Sequence, residues 1–225
     1  RTKLTGRERA LIEIFVLFDN GEKTVGRLEL LAEETVAEDS YTAGAYIEKQ
    51  GYIAMNADGF TEKKDVGEEG FQVLAHLGRM GAAVKAFPVT KSWIGAEEAP
   101  YLRYSFVAEH TADYVVQFYL LSRNPVEKGM RMRLAFGVND EPASVLDTVS
   151  SSFHTDSACE EWSRGVLDNI RIIESSISVS KGENQLYFYA ADPGIVLERI
   201  VLYPENTVLP ESYLGPAESW RTGNI

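Results

Sequence analysis

The chain has a single cysteine among its 225 residues, and this scarcity excludes one common way of stabilising a domain. Cys159 has no second cysteine with which to form an internal disulfide, so a hydrophobic core has to hold the fold together. A chain of this length buries about 70% of its unfolded surface, which is sufficient for a core without covalent staples. We interpret Cys159 as a small half-buried hydrophobic residue, because no catalytic-cysteine signature surrounds it.

Basic residues are also scarce: 22 lysines and arginines stand against 34 acidic residues, giving a formal net charge of −12. Nucleic acids and anionic membranes require clustered lysine and arginine, so we expect neither as a partner. A polyanionic pectin-like ligand would meet an unfavourable long-range potential, although one arginine could still bind an isolated uronate. No apolar run approaches the ~20 residues of a membrane-spanning helix. The chain opens on Arg1 without a signal-peptide pattern, so we expect its start to be a processed end or a boundary within a longer protein.

Histidine is rare as well, which leaves little support for a transition-metal site. His76, His110 and His154 do not form a His-Glu-x-x-His pattern, and a Cys-x-x-Cys pair is excluded by the cysteine count. A structural calcium stays open, because backbone carbonyls supply many calcium ligands and leave no trace in a sequence. Solvated turn or strand-end positions are the alternative for the side chains that could add oxygen ligands, which are Asn56, Asp58 and Asp192.

An Asn-Gly step between two apolar runs predicts a β-hairpin near the start of the chain. Residues 11–18 and 25–31 are the two runs, and Asp19-Asn20-Gly21 connects them. Asparagine and glycine both tolerate the positive φ of a primed turn, so we expect an antiparallel hairpin over residues 8–31. The acidic residues 33–39 then form a linker. We therefore divide the chain into residues 1–45, a hairpin and linker that end an upstream domain, and residues 46–225, the main module.

The main module has the pattern of an all-β domain. In one segment Tyr114, Val116, Phe118 and Leu120 share one face of a strand. Similar strand-like runs lie at 82–90, 101–107, 131–138, 170–179, 184–190 and 195–203. Residues 157–162 predict one short helical turn, and no amphipathic helical stretch exceeds about ten residues. Many short strands separated by turn residues predict a sandwich or a barrel.

Two phrases and several shorter blocks carry a family resemblance. The phrases are residues 162–171 (WSRGVLDNIR) and 209–220 (LPESYLGPAESW). The shorter blocks lie at 51–61, 77–84, 87–90, 99–102 and 192–202. Together these blocks resemble the C-terminal module of glycoside hydrolase family 115. Where that family's opening strand reads Glu-Ala-Glu-His, this chain has Asn56, Asp58 and Gly59, so the metal or sugar contacts of those side chains in relatives do not carry over directly.

The resemblance implies a jelly-roll β-sandwich of the galactose-binding type. It also implies that the parent enzyme cleaves α-glucuronosyl branches from xylan and related plant polysaccharides, with its chemistry in domains upstream of this module. We therefore expect a non-catalytic accessory module of a secreted or periplasmic protein. Its expected partners are a plant cell-wall glycan and the upstream catalytic domain. The alternative is a purely structural sandwich that closes the parent enzyme or its homodimer.

The residues themselves give no credible catalytic set. A glycosidase holds two carboxylates on opposite sides of the scissile bond, whereas adjacent residues such as Glu97-Glu98 or Glu160-Glu161 point to opposite faces of an extended strand. The serines at 150–152 lie close to His154 and Asp156, but triad members normally converge from separate elements. We interpret that segment as a polar loop and expect no activity from this chain alone.

Aromatic residues near polar ones are better candidates for a site, because sugar rings stack on flat aromatic surfaces while polar groups orient their hydroxyls. An aromatic platform, an acceptor, an amide and a cation lie within one stretch, and the cation can pair with a uronate. The carbohydrate-binding candidates are Trp162, Asp168, Asn169 and Arg171, with Trp93 or Tyr101 as a second platform. A core position for Trp162 and a turn at Asp168-Asn169 are the alternatives.

The last phrase offers aromatic residues without ionisable partners for catalysis. We expect Tyr213, Leu214 and Trp220 to pack the tail against the module or a neighbouring domain in preference to binding a ligand. A surface criterion separates the two functional hypotheses. An exposed aromatic residue in a polar groove indicates binding, whereas a broad apolar patch without such a groove indicates a structural role.

Overall fold

A computed structural model of the protein describes residues 8–32, 41–93, 98–126, 129 and 131–223. The chain forms two compact units, Arg1–Ser40 and Tyr41–Ile225. The linker expected at residues 33–39 and the Glu97 of one acidic pair lie outside the described residues. No helix in the part of the chain that the structure describes is long and apolar enough to cross a membrane.

The first unit is a two-stranded antiparallel hairpin. Strand β1 (Glu8–Leu17) pairs with β2 (Lys23–Ala32), which confirms the hairpin predicted from the Asn-Gly step. Gly21 has a φ of 84°, the positive value for which the turn selects glycine. Phe15 and Val16 point to opposite faces and are 54% and 43% exposed. Both faces of the hairpin are therefore apolar and uncovered within this unit.

The second unit is a sandwich of two six-stranded sheets. Sheet I has the order β11-β10-β13-β8-β3, and β5 also pairs with β8. Its strands are β3 (Tyr46–Ile47), β5 (Glu62–Lys64), β8 (Tyr101–Ala108), β10 (Arg133–Val138), β11 (Ser144–Asp147) and β13 (Gly182–Tyr189). The β3–β8 pair is parallel, and the other pairs of sheet I are antiparallel.

Sheet II has the order β12-β9-β14-β7-β6, and β4 also pairs with β14. Its strands are β4 (Ile53–Asn56), β6 (Gly70–Ala75), β7 (Ala82–Phe87), β9 (Ala112–Leu120), β12 (Arg171–Val179) and β14 (Val196–Pro204). All of its pairs are antiparallel. The strand-rich pattern of the sequence is thus confirmed as a β-sandwich.

The core lies between the two sheets. Tyr114, Val116, Phe118 and Leu120 of β9 are all at most 1% exposed, as their alternation predicts. The Phe118 ring packs on Phe136 of the opposite sheet with ring centroids 4.9 Å apart. Burying an aromatic side chain of this size stabilises the fold by about 1.5 to 3 kcal/mol.

One helix is longer than the sequence pattern indicates. Helix α1 (Glu160–Asp168) has nine residues, whereas only a turn over residues 157–162 was expected. It ends at Asn169, whose φ of 50° is left-handed. Its buried residue is Gly165, while Val166 and Leu167 are 58% and 81% exposed. A glycine is therefore buried on this helix, while two of its apolar side chains are exposed.

Two polar residues of the tail lie inside the fold. Ser219 and Thr222 are buried, and the Ile47 amide donates a hydrogen bond to the Trp220 carbonyl at 2.9 Å. The Ser219 amide donates to the Ala54 carbonyl, and the Ala54 amide donates to the Ser219 hydroxyl, both at 2.9 Å. The tail is therefore bonded to the start of the sandwich, and its backbone lies within the fold.

Candidate functional site

A concave groove of about 720 Å³ lies where the tail crosses the β3–β4 connection. Charged and polar side chains line most of it, and one indole ring stands at its rim. The residues that matter for its chemistry are Lys49, Gln50, Asp58, Glu218, Trp220 and Arg221. The groove therefore offers cations, carboxylates, an amide and an aromatic surface together.

A tight turn between β3 and β4 forms one wall of the groove. Lys49 and Tyr52 bridge across it, and the two residues between them, Gln50 and Gly51, have φ values of 59° and 78°. Positive φ at both central positions is the geometry of a primed hairpin turn. The tail forms the opposite wall, because its hydrogen bonds to Ile47 and Ala54 hold residues 219–220 beside this turn.

Trp220 supplies the aromatic surface. Its side chain is 37% exposed, so part of the indole is open to a ligand. Lys49 places its ammonium 5.1 Å from the Trp220 ring centroid, within the range of a cation–π contact. The ring and the cation are therefore adjacent at the rim of the groove.

Tyr46 positions a carboxylate in the groove. Its hydroxyl donates a hydrogen bond to Glu218 Oε1 at 3.0 Å, and the Arg221 guanidinium lies 4.8 Å from its ring centroid. Burial, followed by the Glu218 charge, raises the pKa of Tyr46 above its ordinary value, so the hydroxyl stays a donor. Gly59 is required beside this bond, because a Cβ there would stand 1.8 Å from the Tyr46 hydroxyl oxygen.

The buried side chain of Arg199 holds the side chain of Asn56. Arg199 Nε and Nη2 donate to Asn56 Oδ1 at 2.9 and 2.7 Å, and Nη1 donates to the Leu214 carbonyl at 3.2 Å. Burial lowers the pKa of Arg199, and the Glu218 charge opposes this effect. The Asn56 oxygen therefore accepts from a guanidinium.

The oxygen ligands considered for calcium do not cluster. Asp58 lies in the groove, whereas Asp192 accepts from Arg133 Nε and Nη2 at 2.6 and 2.9 Å. Among the residues with described positions, no three His, Cys, Asp or Glu side chains are arranged to hold a metal ion. The side chains of Asn56 and Asp192 are thus both engaged by arginines.

The segment predicted from sequence for sugar binding runs from α1 into β12. Trp162 is half-buried, and the side chains of Asp168 and Asn169 are exposed. Arg171 is only 9% exposed at its side chain, with Nη2 3.6 Å from Glu161 Oε1. Burial lowers the pKa of Arg171, and Glu161 opposes the shift. The four residues lie close along the chain, but the guanidinium faces inward.

The two candidates for a second platform have different surroundings. Trp93 is 9% exposed, and its Nε1 donates to Glu69 Oε2 at 2.9 Å. Tyr101 is half-buried in β8, and its hydroxyl donates to Glu62 Oε1 at 2.8 Å. Tyr101 therefore retains an accessible ring edge, while Trp93 is largely covered.

Sequence reasoning missed the groove because its walls are 170 residues apart along the chain. Trp220 was expected to pack the tail, and no local pattern distinguishes an exposed tryptophan from a packed one. Gln50-Gly51 is a local sequence signal for the turn between Lys49 and Tyr52, which forms one wall of the groove. The contact of that turn with residues 219–220 arises only in the folded chain.

The groove can bind a ligand rich in hydroxyl groups. Lys49 and Arg221 supply donors, Asp58 and Glu218 supply acceptors, and Trp220 supplies a flat apolar surface. Such a combination suits a pyranose ring, which has an apolar C–H face and polar edges.

Comparison with known proteins places the fold. The family model of the Glycosyl hydrolase family 115 C-terminal domain matches residues 45–218. No curated protein matches the sequence. A family 115 4-O-methyl-α-glucuronidase with specificity for decorated arabinogalactans is 22% identical, with a TM-score of 0.53 over 78% of this chain and 20% of that one. The chain thus spans 20% of the length of that enzyme.

Two further solved structures are similar at lower scores. The Podospora anserina β-(1,4)-mannanase with a family 35 carbohydrate-binding module is 12% identical, with a TM-score of 0.48 over 72% of this chain and 29% of that one. A family 35 carbohydrate-binding module from Clostridium thermocellum is 16% identical, with a TM-score of 0.44 over 67% of this chain and 97% of that one. The chain forms a sandwich of two sheets, and the match over residues 45–218 shows that it belongs to the glycosyl hydrolase family 115 C-terminal domain family.

Proposed function

We propose that the sandwich is a non-catalytic carbohydrate-binding module of a family 115 glycoside hydrolase, and that the groove at Trp220 is its binding site. The observation that carries the proposal is an exposed indole at the rim of a groove of about 720 Å³ lined by donors and acceptors. This meets the criterion for binding stated above. The bound glycan is a glucuronoxylan-type chain, in line with the family's substrates.

The groove's chemistry supports this choice of ligand. One sugar ring stacks on Trp220, while Lys49 and Arg221 donate to hydroxyls or to the carboxylate of a glucuronosyl branch. Each exposed hydrogen bond contributes only about 0.5 to 1.5 kcal/mol net, so binding is weak. A weak site is sufficient for an accessory module, because tethering to a catalytic domain raises the local substrate concentration.

A matched pair of tryptophan variants tests the proposal. Trp220→Ala should weaken binding of glucuronylated xylan oligosaccharides at least about tenfold in calorimetry or NMR titration, because it removes the stacking surface. Trp162→Ala changes the same residue type on α1 and tests the segment predicted from the sequence. The melting temperature of each variant controls for folding.

The outcomes separate three hypotheses. Loss of binding with Trp220→Ala alone supports the groove, and loss with Trp162→Ala alone transfers the site to Trp162, Asp168, Asn169 and Arg171. No binding of any glycan by the unaltered chain would contradict the carbohydrate-binding function. The remaining role would then be structural.

A contact role is proposed for the hairpin in addition. Its apolar side chains are exposed on both faces, with Leu11, Ile14 and Leu17 at 60%, 53% and 74%. An isolated two-stranded hairpin is marginally stable in water and gains most from a covering surface. We propose that the catalytic domain of the parent protein provides that surface.

A further inference from the structure

Three tyrosine rings form a cluster on the outer face of sheet I, apart from the groove residues. Tyr101 of β8 lies directly opposite Tyr189 of β13 in the strand register, and Tyr187 lies two residues before Tyr189. The Tyr101 ring meets Tyr187 and Tyr189 edge-on, with centroids 5.3 and 5.9 Å apart. Tyr187 and Tyr189 stand nearly parallel at 6.0 Å. All three rings are partly exposed on one sheet face.

Hydrogen bonds and ion pairs fix this cluster. Tyr101 donates to Glu62 Oε1 at 2.8 Å, and Glu62 Oε2 pairs with Arg103 Nη2 at 2.7 Å. Tyr187 donates to Gln185 Oε1 at 2.7 Å. Rings fixed in this way lose little conformational freedom on binding, so the surface is pre-organised for a ligand.

A lysine stands at the edge of the cluster. Lys64 of β5 places its ammonium 5.5 Å from the Tyr101 ring centroid. No carboxylate lies within salt-bridge distance of Lys64 in the ranges that the structure describes. In a chain with a net charge of −12, a lysine beside aromatic rings complements an anionic group on a ligand.

We propose that this face, defined by Tyr101, Tyr187, Tyr189 and Lys64, is a second carbohydrate-binding surface. It takes a length of glycan chain that carries a carboxylate, with sugar rings against the tyrosines and the carboxylate at Lys64. This inference rests on the proposed function and extends it to a second site. Aromatic rings with fixed hydroxyls fit the alternating apolar and hydroxylated surfaces of a sugar chain, and Lys64 complements the carboxylate that such a chain carries.

The two sites are close enough for one chain to use both. Gly59 lines the groove and Glu62 borders the tyrosine face, so the two positions are three residue steps apart along the chain. Even a fully extended backbone separates their Cα atoms by at most about 11 Å. A long oligosaccharide can therefore engage the groove and the tyrosine face together, whereas a short one occupies only one of them.

The test measures binding of short and long glucuronylated xylan oligosaccharides by calorimetry. Tyr187→Ala should weaken binding of the long oligosaccharide about three- to tenfold and leave binding of the short one at the groove unchanged. Tyr187→Phe keeps the ring and serves as the matched control, and it should retain most of the affinity. Lys64→Ala should weaken binding of the glucuronylated long chain about two- to fivefold and leave the neutral long chain unaffected.

The results distinguish this inference from the proposed function. If Tyr187→Ala binds long chains as tightly as the unaltered protein while Trp220→Ala does not, the second surface is wrong and the groove stands. If Lys64→Ala affects neutral and glucuronylated chains equally, the carboxylate assignment is wrong. If the unaltered protein binds neither length, the proposed function itself fails. Melting temperatures confirm that each variant is folded.

Discussion

Gly59 is the residue at which packing in the groove is most restricted. A Cβ at this position would stand 1.8 Å from the Tyr46 hydroxyl oxygen and 3.0 Å from Tyr46 Cζ. Gly59→Ala should therefore displace Tyr46, break its hydrogen bond to Glu218 and lower the free energy of unfolding by about 1 to 3 kcal/mol. Denaturant unfolding measures this change.

A double-mutant cycle isolates the cause of that loss. In a Tyr46→Phe background the hydroxyl is absent, so Gly59→Ala should cost less than it does in the unaltered chain. Equal costs in the two backgrounds would show that the clash with the hydroxyl is not the reason. The cost would then come from the ring carbon Cζ of residue 46 or from the Asn56 carbonyl, which lie 3.0 and 3.2 Å from the same Cβ position.

Asp192 gives a prediction that depends on pH. Burial by itself raises the pKa of Asp192, but hydrogen bonds from Arg133 and Ser92 outweigh it and bring the pKa below its ordinary value. The carboxylate therefore stabilises the fold above about pH 4, and this contribution is lost as pH falls through the lowered pKa. Asp192→Asn should lower the free energy of unfolding by about 2 kcal/mol at pH 7, and this loss should shrink as the pH falls below about 4 and passes through the lowered pKa.

Asp147→Asn is the matched control for Asp192→Asn. Asp147 pairs with Arg131 at the surface, where both side chains are substantially exposed. The loss at pH 7 should stay below about 1 kcal/mol. A larger loss for Asp147→Asn than for Asp192→Asn would contradict the assignment of stability to the buried pair.

At the residue scale, local patterns predicted the core better than the site. The alternation of Tyr114, Val116, Phe118 and Leu120 states which side chains are buried, because neighbouring residues of a strand face opposite sides. The groove depends on a hydrogen bond between the backbones of Ile47 and Trp220. The local sequence around either residue does not predict this bond, because the two residues are far apart along the chain. Arg171 illustrates the same limit, since its burial follows from the packing of α1 and not from its neighbours in sequence.

At the element scale, the hairpin and α1 differ in how visible they are in the sequence. The hairpin was predicted because the Asn20-Gly21 turn and both apolar runs are local signals. Helix α1 was underestimated because its buried position is a glycine: a Cβ at Gly165 would lie 2.2 Å from Ser122 Oγ. Close backbone packing of this kind replaces the apolar stripe that usually identifies a helix.

The hairpin's exposed apolar faces predict self-association of the isolated chain. Replacing Phe15 and Leu17, which are 54% and 74% exposed, by serine should reduce concentration-dependent light scattering. The melting transition of the sandwich should be unchanged, because the described residues of its main core cluster lie outside the hairpin, from Tyr46 to Leu202. Val208→Ser, at a site 91% exposed in the sandwich unit, is a control that should leave the scattering unchanged.

If scattering is equally strong after the Phe15 and Leu17 substitutions, the hairpin is not the apolar contact surface. Its proposed role against the catalytic domain would then lose its physical basis. A fall in the sandwich's melting temperature would instead indicate that these side chains support the larger unit.

At the scale of the whole molecule, we expect no glycosidase activity from this chain. The carboxylates that line the groove are Asp58 and Glu218, and Glu218 is held by the Tyr46 hydroxyl. Incubation with glucuronylated oligosaccharides should release no glucuronic acid above a mock-purified control. Release that is abolished by Asp58→Asn or Glu218→Gln would overturn the non-catalytic assignment and identify the groove as an active site.

The first and last described segments of the sandwich lie next to each other. Gly44 and Ala45 exchange hydrogen bonds with Thr222, so the strand that enters the sandwich and the segment that leaves it run side by side. A domain whose entry and exit are adjacent can be inserted into a surface loop of a host protein without stretching the host. The module formed by residues 41–223 is therefore suited to insertion into another protein. The hydrogen bonds between residues 44–45 and Thr222 would keep Tyr46, Glu218 and Trp220 in place.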